Sequence, residues 1–270
     1  MVWACDRILV ATDGSDPSRA AVGWASRLAE DLSAELMAVY GYDVDNETGI
    51  PDAEQTAAAQ YRLDRWCAEQ GALGIDMRRR AYPGDPRSVL RDAIAREQPD
   101  LVVVGTRGGG GFPGLVVGSV TEWLTQVATY PLAVVPDTGR DRTGGPILVG
   151  VDGSPQSNRA LDWAIGLAGR LRRTIEAVYA TSGGHDPAVD AVSREIARAR
   201  AAATALHIRL EWSMRGEHPV TALATRSDDE EPEMIVVGAR GFGAFGELTI
   251  GRVPRQLLRA AHRPVVIIPG

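Results

Sequence analysis

The chain has 270 residues, a formal net charge of −6 and 44% hydrophobic residues, and every one of its 29 Lys+Arg positions is arginine. Without lysine there is no Walker A phosphate loop, no pyridoxal-phosphate chemistry and no Schiff-base aldol chemistry, since each needs a lysine amine. No apolar run nears the ~18 residues of a membrane span and neither half has a basic excess, which argues against a membrane protein and against a nucleic-acid binder.

From the N-terminus, short β-branched or apolar runs alternate with longer stretches of helical period. Residues Arg7–Thr12 read as a strand, and Ser18–Leu32 as a helix with Ala21, Trp24, Ala25 and Leu28 on one face. Strands follow at Glu35–Tyr40, Asp76–Tyr82, Leu101–Gly105 and Leu132–Val135, with helices between them at Ala53–Gln70, Pro86–Glu97 and Ser119–Ala128. Such β-α alternation implies right-handed crossovers and a parallel sheet covered on both faces.

The pattern then repeats. Ile8–Ser15 (ILVATDGS) matches Ile147–Ser154 (ILVGVDGS), Trp24 matches Trp163, and Val103-Val104-Gly105 matches Val236-Val237-Gly238. A period of about 135 residues is far longer than a solenoid unit, so a whole fold is duplicated. The expected organisation is an α/β chain of two tandem doubly wound domains, 1–138 and 146–270, joined by the polar, Gly-rich linker 139–145. Cys5 and Cys67 stand far apart without metal-ligand spacing, and the first residues lack a charged and apolar leader, so the expected setting is reducing and cytoplasmic.

In open parallel sheets the ligand sits beyond the carboxyl ends of the strands, where the winding reverses. The first such loop is Thr12-Asp13-Gly14-Ser15, whose carboxylate could accept from ribose hydroxyls; Asp13 and Ser15 are equally ordinary helix N-cap residues. The fourth strand runs into Gly105-x2-Gly108-x9-Gly118-Ser119, a glycine loop closing on a helix N-terminus, with Arg107 inside it. Glycines let the main chain approach an anion, and the helix end adds exposed N–H groups and positive potential. The spacing recurs as Gly238, Gly241 and Gly251, but there Arg252 stands where Ser119 does, and Pro254 follows in the first helical turn. Arg252 could swing outward onto phosphate, or lie across the cradle and pair with Glu247.

The DGS turn, the strand ending in Gly105, the G-x2-G-x9-G-S spacing and the final Pro-Leu-Ala-Val-Val-Pro strand together resemble the universal stress protein family, over nearly the whole chain and twice. The resemblance implies a tandem member of that family's ATP-binding class, with strand order 3-2-1-4-5 in each Rossmann-like domain. It places ATP, with or without Mg2+, against Ala11, Thr12, Asp13 and Val39, and against Gly105, Arg107, Gly108, Gly118, Ser119 and Val120. The corresponding positions in the second half are Gly150, Val151, Asp152 and Val178, followed by Gly238, Arg240, Gly241, Gly251, Arg252 and Val253. It also implies pairing through the final strands, Leu132–Val135 and Val265–Ile268, and hence a homodimer or an internal pseudo-dimer.

Other motifs carry less. Ser182–Pro187 has the look of a pyrophosphatase loop but follows the wrong strand, the four histidines show no ligand spacing, and the acidic run Asp228–Glu231 and the triplet Arg78–Arg80 read as solvated surface. With no positioned acid–base pair, the expected role is a nucleotide-binding stress-response regulator. A slow ATP hydrolase and a nucleotide-free interaction scaffold are the alternatives.

Overall fold

The structure, a computed structural model, describes residues 5–44, 50–70, 76–109, 117–137, 144–181, 188–229, 231–241 and 250–270. The chain divides into two compact units, one centred on Cys5–Leu124 and the other on the second half of the sequence. In the first half the elements run β1 (Arg7–Ala11), α1 (Asp16–Leu32), β2 (Glu35–Tyr42), α2 (Asp52–Glu69), β3 (Met77–Pro83), α3 (Pro86–Glu97), β4 (Leu101–Gly105), α4 (Ser119–Val127) and β5 (Leu132–Val135). The strand order is β3-β2-β1-β4-β5, the 3-2-1-4-5 order expected, and β1 pairs in parallel with both β2 and β4.

Burial along the strands follows from this order. Every residue of the inner strand β4 is buried, as in a parallel sheet covered on both faces, whereas the edge strand β3 alternates and turns Arg78 and Arg80 outward. That edge position accounts for the arginine triplet: Arg78 pairs with Glu97 at 2.9 Å. Several boundaries differ from the sequence reading by one or two residues, two of them at the turn after β1. Strand β1 stops at Ala11, and α1 starts at Asp16 because Ser15 is an extended N-cap and Pro17 fits the first turn. Helix α3 is likewise fixed at its start, where the Asp85 side chain accepts from the Ser88 N–H at 3.0 Å.

The second half comprises β6 (Ile147–Val151), α5 (Pro155–Leu171), β7 (Ile175–Ala180), α6 (Val189–Ala205), β8 (Leu210–Arg215), α7 (Pro219–Asp229), β9 (Met234–Gly238), α8 (Arg252–Ala260) and β10 (Val265–Ile268). Its order, β8-β7-β6-β9-β10, is the same topology. Here α5 is capped by Ser154, which accepts from the Ser157 N–H at 3.2 Å. Two buried glutamates of this half are paired with half-buried arginines, Glu233 with Arg173 and Glu176 with Arg226, both at 2.6 Å. Among the described residues no helix is long and apolar enough to cross a membrane.

The repeat's tryptophans are core anchors, Trp24 on α1 at 4% and Trp163 on α5 at 1% exposure. Replacing the larger buried volume is costly, so Trp163→Ala should destabilise the protein by about 3–5 kcal/mol. Urea melts followed by circular dichroism read this as a lowered midpoint. A midpoint unchanged within error would mean that Trp163 does not anchor the helix to the sheet.

Candidate functional site

The winding of each sheet reverses between the first and fourth strands of the half, so their carboxyl ends leave a crevice with a loop on each side. In the first half, Thr12 leaves the strand by donating its N–H to the Val39 carbonyl at 3.0 Å, and its hydroxyl meets Ser18 Oγ at 3.1 Å. The turn passes through Gly14 at φ 79°, and the Trp66 ring lies where a side chain on Gly14 would stand. This turn presents the Asp13 carboxylate to the opposite loop. Its Oδ2 accepts from the Gly109 N–H at 2.7 Å, and its Oδ1 accepts from the Ser15 hydroxyl at 2.6 Å and the Ser15 N–H at 3.1 Å. Partial desolvation by itself would raise the Asp13 pKa, but hydrogen bonds from Ser15, Gly109 and Ser18 outweigh it and hold the group below its ordinary value.

The motif glycines are required by the protein's own packing. A Cβ on Gly105 would stand 2.6 Å from the Pro17 carbonyl at the start of α1, one on Gly108 would collide with the Asp13 carboxylate, and one on Gly118 would press on Arg107 Cα at 3.1 Å. The loop is pinned at both ends, by the Gly118 N–H on the Thr106 carbonyl at 2.8 Å and by the Thr121 hydroxyl on the Gly105 carbonyl at 2.8 Å. Glu122 makes the first intrahelical bond of α4, to the Gly118 carbonyl, so the N–H groups of Ser119 and Val120 lie in the first turn, where an α-helix has no internal acceptor for them. Arg107 reaches away to Asp137 at 3.2 Å.

All ten residues singled out in the first half line one cavity of about 510 Å³, with Ala11, Val39 and Val104 on its apolar side and Gly108, Gly118 and Ser119 on its polar side. The sequence reading missed Gly41, Pro86 and Leu90, which also line it. A signal for Gly41 exists: it interrupts a strand of bulky residues, and a Cβ there would stand 3.0 Å from Pro86 Cα, so it marks a close approach of α3 to β2.

The second half builds a cavity of about 420 Å³ on the corresponding ten residues. Asp152 accepts from the Ser154 N–H at 2.9 Å and lies where a Cβ on Gly241 would collide, while a Cβ on Gly238 would stand 2.8 Å from the Gln156 backbone. The differences sit at the mouth. Arg252 is the exposed first residue of α8, Pro254 removes an N–H from its first turn, Val151 replaces Thr12 and Ala180 replaces Gly41. Glu247, the pairing partner considered for Arg252, lies outside the described residues, as do the loop tips 110–116 and 242–249 and the segment Ser182–Pro187. Among the described residues no cluster of His, Cys, Asp and Glu could hold a metal, and both cysteines are buried free thiols.

The lowered Asp13 pKa makes the loop-to-loop bond acid-sensitive. A depressed carboxylate contributes stability that is complete above its unfolded pKa of about 3.9 and is lost as the pH falls through the folded value. Asp13→Asn should therefore be less stable than the native chain at pH 6, and the gap should close below about pH 4. Thermal melts across that range check it. A gap of constant size would show that the carboxylate charge is not what ties Asp13 to the Gly109 loop.

Two tandem segments, residues 5–136 and 145–269, match the model of the Universal stress protein family. A universal stress protein of Mycobacterium tuberculosis is 27% identical over 290 residues, covering 96% of this chain and 95% of the relative. One from Mycolicibacterium smegmatis is 26% identical over 284 residues, with 97% and 96% covered. The crystal structure of a universal stress protein from Archaeoglobus fulgidus superposes with a TM-score of 0.70 at 16% identity, covering 98% of both chains, which is a likeness of fold. Two matched copies, each ending its fourth strand in the same glycine loop, place this chain in the universal stress protein family.

Proposed function

We propose that the chain binds adenine nucleotide, ATP in particular, in its first half and, with a differently charged mouth, in its second, and that it acts as a regulator through the bound state. The cavity between the ends of β1 and β4 is the observation that carries this reading. Its 510 Å³ lies within the range of small-molecule sites, and it has an apolar wall suited to a base and a polar rim suited to phosphate. Asp13 lines the cavity, and its carboxylate is an acceptor that suits a ribose hydroxyl. The Ser119 and Val120 N–H groups at the α4 N-terminus favour an anion, and the Ser119 hydroxyl adds a donor. Mg2+, where present, would arrive with the phosphates.

The same groups speak for binding over turnover. The titratable side chains lining the first cavity are Asp13 and Arg107. Asp13 is committed to Ser15 and Gly109 and has a lowered pKa, which makes it a weak general base near neutrality. A protein whose output is its liganded state needs such a cradle and no proton shuttle.

Ser119→Glu separates phosphate binding from folding. Glutamate in the first turn suits the helix dipole, so α4 should remain formed, yet its charge would face the phosphates. Calorimetric titration of ATP into the full chain should show affinity at one of the two sites reduced by tenfold or more, about 1.4 kcal/mol. Unchanged affinity at both sites would remove the α4 N-terminus from the binding site.

A further inference from the structure

The cation that the glycine motif supplies to the first pocket is already neutralised, since Arg107 Nη2 lies 3.2 Å from Asp137. A second guanidinium lies beside this pocket, next to two of its lining residues. Arg87, the second residue of α3, is exposed, and its Nη2 donates to the Ser119 carbonyl at 3.3 Å, spanning from α3 to α4. Both elements it joins line the cavity, through Pro86 and Ser119. No carboxylate among the described residues pairs with Arg87, so one of its five N–H donors is used, on a neutral acceptor, and its charge is uncompensated.

The second half exchanges the two positions. Val220 follows Pro219 where Arg87 follows Pro86, and Arg252 opens α8 where Ser119 opens α4. Arg252 is exposed, lines the second cavity and likewise has no carboxylate partner among the described residues. Each half therefore sets beside its cavity one guanidinium with no carboxylate partner among the described residues, Arg87 on α3 in the first and Arg252 on α8 in the second. Conservation of that charge across a swap of position is not what packing requires, because both side chains are exposed and neither fills core volume.

We propose that Arg87 in the first pocket and Arg252 in the second read the polyphosphate tail of the bound nucleotide, so that each site prefers a triphosphate to a monophosphate. The inference rests on the nucleotide reading above. Main-chain N–H groups at a helix start serve any phosphate, whereas a group leaving the cavity for solvent meets the rim arginine. A phosphate oxygen is also a stronger acceptor for guanidinium than the Ser119 carbonyl, so Arg87 would exchange one for the other. Arginine is suited to this because its planar fork binds phosphate with two parallel bonds.

The test is calorimetric titration of AMP and of ATP into the full chain and its Arg87→Gln, Arg252→Ser and doubly substituted forms, with thermal melts to show that these exposed changes leave the fold intact. Each single substitution should weaken ATP at one of two sites about tenfold while AMP changes less than about threefold, and the double form should weaken ATP at both. Arg87→Lys, which keeps the charge and loses the fork, should recover part of the loss. Equal weakening of AMP and ATP would make Arg87 a strut for α4 and overturn the proposal, as would ATP affinity unchanged in all forms. A native chain that takes up neither nucleotide would instead overturn the nucleotide reading itself, and this inference with it.

Discussion

The Asp13 carboxylate is the contact on which the site depends. It stands where β1 ends, where the winding of the first half reverses between β1 and β4, and it spans the resulting crevice to the Gly109 N–H at 2.7 Å. That bond draws the loop after β4 over the turn after β1. Gly108 then has no room for a side chain, and Gly105 must admit the Pro17 backbone as α1 enters the sheet. The glycines of the motif are thus explained first by protein packing. Exposure of the main chain toward an anion follows from it, since a loop held this tightly presents the first N–H groups of α4 at the rim of the cavity.

Duplication has preserved this geometry and altered its chemistry. Asp152, Gly238, Gly241 and Gly251 keep the frame of the second pocket, and Gly251 still closes on Ala239 through an N–H to carbonyl bond of 2.7 Å. The mouth differs in kind. The first presents the Ser119 hydroxyl and the Ser119 and Val120 N–H groups, while the second has Arg252 and loses a donor to Pro254.

Most of the fold is legible in the sequence because its signals are local. Alternating apolar runs and helical faces mark the elements, and prolines and caps such as Asp85 and Ser154 mark helix starts. The ten candidate residues of each half converge on one cavity because they lie at strand ends and in a motif of fixed spacing. What escapes the sequence is tertiary. Pro86 and Leu90 reach the cavity only because α3 packs on β2 over Gly41, and Arg107 spends its charge on Asp137, a partner that spacing cannot reveal. Arg87 is invisible for the same reason: it joins the site through Ser119, 32 positions later, across two helices.

We propose above that the crevice between the first and fourth strands holds an adenine nucleotide. Mass analysis of small molecules released by denaturing the natively purified full chain tests it most directly, followed by the same measurement after incubation with ATP and removal of the excess. Adenine nucleotide is expected in at least the incubated sample, approaching two per chain at saturation. A chain that releases no nucleotide in either sample, while remaining folded, would contradict it.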